Sequence, residues 1–511
     1  MTPPLSFSTR LRVLSKLDPR ALACLRIGTA LVLAWDMVRV LRVAPDWWAM
    51  QAYGEPKLPP WLVLGSETVT LQLAAIAVLV VSLLLALGWR TGPVTAAAWI
   101  SACAFQYAAR ATADYHNAVL CALLYCSLVL PTAAVASLDA RAGRPPWAPD
   151  WLVASGSAGL LVLLAWIYLS TAAAKTGSAW WSEGSAVWLA LLDRGTPTTM
   201  GRWLALAAPP WTWPAVTWLA LLLEWSAPAL LIWRRTRLLA VIGLGLFHLC
   251  MWPLLRLGSF PLTMVVALSA LLPGSVWDRV RWQPSARAAV IRRRPGMSGR
   301  WVAGLMVLGL AITLEGERVV AWEGNGDRPW PYPGARHMAR LRYLLGMEVI
   351  WGMYAPEPFR HVGWWVAVGW QTDGTVVDPI TGQAPTLDPP DPAGADANLR
   401  WLALSDAPEL IQGWGVQHTY RNFLLAQRNH SGARRLQRLA LVWVHEPLTP
   451  FRAPHQRQPL LVLSWPENDM PAAMVEQVLG TALQAPVYDE DSGVLLGGHG
   501  VSLSAEPQWL P

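Results

Sequence analysis

Nine long apolar runs constrain this chain more than any other feature of its sequence. A helix of about twenty apolar residues is long enough to cross the hydrocarbon core of a bilayer, and each run has roughly that length. Charged residues make up only 14% of the chain, whereas soluble domains have about 25%. The sequence therefore predicts an integral membrane protein. The runs lie at about 20–43, 67–88, 93–112, 116–136, 152–174, 211–233, 237–255, 259–277 and 301–321.

The distribution of arginine predicts how these runs are oriented. The formal net charge is +7, and basic residues cluster in the N-terminal segment and after the second, fourth, sixth and eighth runs. Short basic loops stay in the cytoplasm by the positive-inside rule, so this basicity does not indicate nucleic-acid binding. The first run carries Arg26 and Asp36 and lacks a small-residue cleavage site, which favours a retained span over a signal peptide.

This orientation gives a predicted domain organisation. We expect an all-α polytopic membrane bundle of about nine spans, followed by a small extracytoplasmic α+β domain in a multi-pass cell-membrane protein. The predicted parts are a cytoplasmic N-terminus (1–19), a transmembrane bundle (20–277), a basic cytoplasmic loop (278–300), a ninth helix (301–321) and the extracytoplasmic domain (322–511).

The α+β domain is predicted from turn signals and alternating residues in the tail. A Gly/Pro-rich linker (322–335) and an aromatic loop (347–360), placed near the membrane surface, precede the segment GWWVAVGWQTDGTVVDPITG. This segment predicts a hairpin that turns at Asp373 and Gly374. Further predicted strands lie at 439–448 and 459–466, and predicted helices lie near 337–346, 417–428 and 470–484.

Lys175 is the most unusual residue of the apolar part. It ends the fifth run, and the tryptophan pair Trp180 and Trp181 follows it. A lysine at a helix end often keeps its stem in lipid and its ammonium group in water. This snorkelling interpretation and a functional one both fit the segment.

Other titratable residues share the predicted depth of Lys175. The orientation puts His116 and His248 with it on the extracytoplasmic side, and ionisable groups in a membrane usually face a bundle interior or a cavity. We therefore expect one shared pocket, although an interfacial hydrogen-bonding role is the alternative for each histidine. Glu224, near the middle of the sixth run, needs a partner or a proton.

Arg26 and Asp36 are expected to find partners on other spans. Ten residues separate them, which is about 15 Å along a helix, so they cannot pair with each other. The five cysteines all lie in apolar runs and are expected to be free, buried thiols. No metal site is expected, because the histidines of the tail are scattered without zinc-ligand spacing.

Five segments between about residues 18 and 275 resemble the vitamin K-dependent gamma-carboxylase and its wider horizontally transferred transmembrane (HTTM) family. LRIGTALVLAWD resembles the family's Arg, small-residue, Asp pattern, and LGWR at 87–90 resembles its Leu-Gly-x-Arg turn. His116 precedes Asp139 by 23 residues, as the family's His precedes its Ser-x-Asp. AAAKTGSAWWSEG and FHLCMWPLLRLGSFP resemble the carboxylase's lysine-Trp-Glu-Gly segment and its Phe-His motif.

The resemblance implies a quinone-dependent epoxidase and carboxylase, a carbon-carbon lyase that modifies an exported protein or peptide. Lys175 would be the base and His116 would steady the glutamyl carbanion, with reduced vitamin K or menaquinone entering from lipid, and oxygen and carbon dioxide as co-substrates. Burial beside Trp180 is expected to lower the pKa of Lys175 and make neutral amine available. The residues assigned to the pocket or its surroundings are His248, Glu224, Arg26, Asp36, Trp180 and Trp181.

Some features depart from the carboxylase. Ala174 stands where it has a second lysine, and the tail does not resemble its substrate-binding domain. The tail segment MYAPEP is instead similar to one found in bacterial HTTM proteins. Two other functions stay open: a maturation factor for a secreted peptide or toxin, and a non-catalytic membrane scaffold. The sequence has no Walker A loop, dinucleotide fingerprint or nucleophile elbow, and GGHG at 497–500 is more simply a turn.

Overall fold

The chain divides into two compact units in a computed structural model. A helical unit comprises residues 1–44, 58–191 and 198–358, and a strand-containing unit comprises residues 45–57, 192–197 and 359–511. The structure describes residues 17–51, 67–108, 115–144, 150–192, 197–282, 337, 345–346, 352–358, 360–379, 382–388, 436–451, 458–465, 472–480, 488–489 and 494–495.

Helices account for most of the first unit. Their bounds are α1 Pro19–Gln51, α2 Glu67–Leu87, α3 Thr91–Ala108, α4 Tyr115–Ser127, α5 Leu138–Arg141, α6 Asp150–Ala174, α7 Ser178–Trp181, α8 Ala186–Leu192, α9 Thr199–Ala207, α10 Thr212–Ile232, α11 Arg237–Leu254, α12 Phe260–Ser269 and α13 Gly274–Arg279. Eight of the nine predicted apolar runs therefore contain helix. The ninth, 301–321, lies outside the described residues.

Within the described part of the chain, five helices are long and apolar enough to cross a membrane. These are Pro19–Arg42, Val69–Leu87, Gly156–Ala174, Thr212–Ile232 and Arg237–Leu254. Large apolar side chains on their surfaces are exposed, including Leu73, Leu222 and Leu239. An apolar surface of this kind is typical of helices that face lipid.

Two predicted runs are broken into shorter pieces. In the run at 116–136 the helix ends at Ser127. Pro131 has no N–H to continue it, and the main-chain carbonyls after Pro131 accept hydrogen bonds from Arg26, as described below. The run at 259–277 forms α12 and then α13, with Pro273 between them. Apolar composition alone therefore overestimated the lengths of these helices.

The helical core brings α6 and α10 together. These two helices pack extensively, and α11 contacts both α10 and α12. Leu160, Leu164 and Leu231 lie in one buried apolar cluster with Leu244 of α11 and Met264 of α12. This packing places the C-terminal end of α6 beside the middle of α10.

The cysteines are free, as expected, although only some are buried. Cys103, Cys121 and Cys126 are buried, Cys24 is half-buried and Cys250 is exposed. Cys250 differs from the expectation because an apolar run on a membrane helix has an outward face as well as a packed one.

The strand-containing unit has a four-stranded antiparallel sheet. Its strands are β1 His361–Gln371, β2 Val376–Val377, β3 Leu436–Pro447 and β4 Gln458–Trp465, in the order β2-β1-β3-β4. A further helix, α14 Ala472–Leu479, and a small hairpin of β5 Tyr488–Asp489 and β6 Val494–Leu495 follow. The sheet and helix confirm the predicted strands at 439–448 and 459–466 and the predicted helix near 470–484.

The predicted hairpin is also confirmed. Trp370 pairs with Val376 across β1 and β2, and Gly374 occupies the turn with φ +82°, a conformation that glycine adopts without a steric penalty. Alternate residues of β1, including Trp364 and Val368, pack in one cluster with Val475 of α14. The predicted linker (322–335), the predicted helix near 417–428 and GGHG lie outside the described residues, as does most of the predicted helix at 337–346.

Candidate functional site

Lys175 lies just after the last residue of α6, and its side chain is buried. Only 4% of the residue is exposed. The snorkelling interpretation requires the ammonium group to reach the surface. Because the side chain is buried, it does not. Burial lowers the pKa of Lys175 below its ordinary value, although the charge and hydrogen bonds of Glu224 act in the opposite direction.

Glu224 is the partner of Lys175. The amine Nζ donates to Oε1 at 2.7 Å and to Oε2 at 2.5 Å, and both side chains are at least nine-tenths buried. Glu224 lies in the middle of α10 and faces α6, which explains how a carboxylate is tolerated there. The sequence predicts that Glu224 has a partner or a proton, but it does not indicate which residue the partner is.

Two tryptophans adjoin the lysine in different ways. The ring of Trp180, which is buried, lies 4.8 Å from Nζ of Lys175, a distance typical of a cation–π contact. Trp181 is 53% exposed, and its indole N–H donates to the main-chain carbonyl of Lys175 at 2.7 Å. Trp180 therefore borders the amine, whereas Trp181 fixes the backbone that carries it.

His248 forms a second polar group with Tyr168. His248 Nε2 and the Tyr168 hydroxyl are 2.9 Å apart, and His248 is only 2% exposed. The rings of Phe247 and Phe260 lie edge-on to the imidazole. Nδ1 of His248 is buried and has no hydrogen-bond partner among the residues that the structure describes. Tyr168 lies on α6 about two helical turns before Lys175, which directly follows that helix.

His116 forms a third group with Asp36. Its Nε2 lies 2.9 Å from Asp36 Oδ2, and Ser259 donates to Asp36 Oδ1 at 3.0 Å. Ser259 immediately precedes Phe260, the residue whose ring contacts His248. The beginning of α12 therefore links the His116 group to the His248 group.

The three predicted pocket residues thus have three different partners. Lys175 pairs with Glu224, His248 with Tyr168 and His116 with Asp36. Tyr168 and Ser259 belong to these groups but were missed by sequence reasoning, because a tyrosine or serine in an apolar run is common and carries no charge.

Arg26 belongs to a different part of the helical unit. It is 1% exposed, and its guanidinium donates to the carbonyls of Thr132 at 2.7 Å, Ala136 at 2.5 Å and Ala86 at 3.3 Å. Its partners do lie outside α1, as expected, but they are backbone carbonyls. Ten residues of helix separate it from Asp36, so Arg26 holds the turns after α2 and α4 rather than the histidine groups.

Asp139 completes this turn structure. Its carboxylate accepts hydrogen bonds from the main-chain N–H of Arg90 and Thr91 and from the Thr91 hydroxyl, at 3.0, 2.8 and 2.8 Å. Burial raises the pKa of Asp139, but these bonds and one from Arg144 outweigh it and hold that pKa below its ordinary value. The LGWR turn and the Ser-x-Asp segment are therefore held together by these hydrogen bonds and have a structural role.

Comparison with known proteins identifies the family of the helical part. No curated protein and no solved structure matches the chain. The profile of the HTTM domain family matches residues 14–277, which is more than half of the chain. These residues include every helix that carries the three polar groups, and the chain therefore belongs to the HTTM domain family.

Proposed function

We propose that this chain is a membrane enzyme that uses Lys175 as a base on a quinol, in the manner of the carboxylase that it resembles. The observation that supports this most is the buried ion pair of Lys175 with Glu224 beside the Trp180 ring. A paired lysine at the end of a membrane helix, out of contact with water, has no role in anchoring the helix at the interface. Its burial and its specific charge partner are features typical of a catalytic base.

The pair can hold its proton on either partner. In a site of low dielectric constant the charged pair is costly, and moving the proton from Nζ to the carboxylate gives a neutral amine beside a neutral acid. Glu224 thus stores the proton while Lys175 accepts another. The Trp180 ring excludes water from the amine, which keeps it from being rehydrated and reprotonated.

The residues around His248 fit an isoprenoid quinol. Nδ1 of His248 is a buried polar atom that no described residue bonds, and the aromatic rings of Tyr168, Phe247 and Phe260 lie beside the imidazole. These residues would hold the head group. When bound, a reduced quinone would supply the electrons that oxygen takes up in carboxylase-like chemistry. Asp36 would accept the Nε2–H of His116 and favour the imidazolium form, whose Nδ1–H would be the donor to a nearby anion.

The first test is substitution of the proposed base. We expect Lys175→Ala to lower oxygen consumption by about 100-fold or more, the usual scale for the loss of a general base. The measurement is oxygen uptake by purified protein in lipid nanodiscs supplied with reduced menaquinone or vitamin K. Lys57→Ala, which changes a lysine in the segment between the first two runs, is the control and should retain wild-type turnover. Turnover that survives in Lys175→Ala, or is absent from the wild type, contradicts the proposal.

We also propose that the acceptor is an exported protein or peptide. Mass spectrometry of extracytoplasmic proteins from cells with and without the chain identifies it. A glutamate-containing product that gains a carboxyl group only when wild-type protein is present supports carboxylation. A product that is modified equally with Lys175→Ala instead favours a maturation role that does not use this base.

The topology that goes with this proposal is multi-pass, with a cytoplasmic N-terminus and the strand-containing unit outside the cytoplasm. Alkaline phosphatase folds only outside the cytoplasm, so its fusion after residue 335 should be active and its fusion after residue 282 inactive. The reverse pattern would put the tail in the cytoplasm and remove exported proteins as direct clients. Matched green fluorescent protein fusions at the same positions control for expression.

A further inference from the structure

A short tail segment contacts the residues that follow Lys175. The segment is MYAPEP, Met353–Pro358, and it lies beyond residues 14–277 that match the HTTM profile. Gly177 donates its main-chain N–H to the carbonyl of Pro356 at 2.9 Å. Although about 180 residues separate them in sequence, both partners belong to the helical unit.

The same segment caps the one-turn helix α7. Ala179 donates its main-chain N–H to Oε2 of Glu357 at 3.1 Å, and the Ser178 hydroxyl lies 3.4 Å from the same oxygen. The residue at the N-cap position of α7 is Gly177, whose lack of a side chain leaves no cap of its own. An isolated turn of helix is not stable by itself. Glu357 therefore supplies from the tail the cap that α7 lacks locally.

Gly177 marks the closest approach of the two segments. A Cβ at this position would lie 2.6 Å from both Cβ and Oε2 of Glu357, which is closer than any real contact. Only glycine lets Glu357 come near enough to cap α7.

Trp180 connects this segment to the lysine. Its indole N–H donates to the main-chain carbonyl of Tyr354 at 2.9 Å, and its ring lies 4.8 Å from Nζ of Lys175. One edge of the indole is thus held by the tail segment while its ring faces the amine. The position of the ring depends on residues 354–357.

We propose that Tyr354–Glu357 is a positioning segment that holds Trp180 over Lys175 and keeps water from the amine, with Glu357 as its central residue. The proposal rests on the proposed role of Lys175 as a base, and it assigns to the tail a part of that site. Glu357 acts through α7 and Trp180, without touching the reacting atoms.

The test measures the accessibility of Lys175 and needs no turnover. The chain has only three lysines, Lys16, Lys57 and Lys175, so acylation by a water-soluble amine reagent can be followed at each one by peptide mass spectrometry. In the wild type Lys175 should react slowly until the protein is denatured. Lys16 and Lys57 report whether the reagent and the overall fold are unchanged.

Glu357→Ala should raise the acylation rate of Lys175 by about fivefold or more, the population change expected when a helix loses its N-cap. Glu357→Gln keeps an acceptor oxygen and should restore slow labelling, whereas Glu357→Met, which fills a similar volume without an acceptor oxygen, should label as fast as Glu357→Ala.

Equal labelling of Lys175 in folded Glu357→Ala and the wild type would overturn the proposal. If Glu357→Ala does not give a monodisperse protein, Trp180→Phe provides the second variant, since it removes the indole N–H that bonds Tyr354 and leaves a smaller ring beside the amine. Unchanged labelling there would overturn it equally. The role of Lys175 as a base is contradicted by a different result, quinol turnover that survives in Lys175→Ala, whatever the labelling shows.

Discussion

Glu224→Leu is expected to destabilise the helical unit by about 3–5 kcal/mol, the range seen when one partner of a buried ion pair is removed. The substitution leaves the ammonium of Lys175 buried with no counter-charge. The lysine must then lose its proton or draw water into the packing of α6 against α10. The measurement is the free energy of unfolding of the purified protein by denaturant titration in mild detergent.

The matched control is the double variant Lys175→Met/Glu224→Leu. Because it replaces both charges by apolar side chains of similar size, it should recover most of the lost stability. A double variant as unstable as Glu224→Leu alone would show that the pair is not the source of the effect. A stable double variant without quinol turnover would separate the chemical role of the pair from its structural role.

Arg26→Met should lower the free energy of unfolding by about 3 kcal/mol or more, since each buried carbonyl left without a donor costs roughly 1–3 kcal/mol. Four carbonyls, those of Thr132, Val135, Ala136 and Ala86, accept hydrogen bonds from this guanidinium. Methionine fills a similar volume but offers no donor. The same denaturant titration measures the effect.

Arg39→Met is the control for Arg26. Arg39 lies on the same helix, is less buried, and approaches Asp36 only to 3.9 Å, so its loss should cost about 1 kcal/mol or less. Equal effects of the two substitutions would mean that the carbonyl contacts of Arg26 contribute little.

Gly88→Ala should destabilise the protein in the same way as Arg26→Met, because an added Cβ would lie 3.0 Å from the Arg26 guanidinium and 2.4 Å from Cβ of Ser137.

Much of the helical unit can be predicted from the sequence because a membrane restricts the structures that an apolar segment can adopt. A run of apolar residues as long as that ending at Ala174 has few ways to bury its backbone other than as a spanning helix. The run from 116 to 136, like the one from 259 to 277, is an exception. Its apolar residues after Ser127 form turns instead, since Arg26 supplies the hydrogen bonds that a helix would otherwise provide.

The site was harder to predict than the helices. Charge and position identified Lys175, Glu224 and both histidines as unusual, but no pattern within one run specifies which helix faces another. Pairing depends on the rotation of each helix about its axis, which packing decides. Glu357 was missed for a related reason: a glutamate in a proline-rich loop has no local signal that connects it to a lysine some 180 residues earlier.

The hydrogen bonds between α7 and the tail limit how this protein can be recombined. A chimera that joins residues 14–277 to the C-terminal part of a relative without an equivalent Ala-Pro-Glu-Pro stretch would leave the N–H groups of Gly177, Ala179 and the Trp180 indole without their acceptors. The two parts of the chain are therefore not interchangeable. Among members of the family, substitutions near Gly177 are expected to covary with substitutions near Glu357.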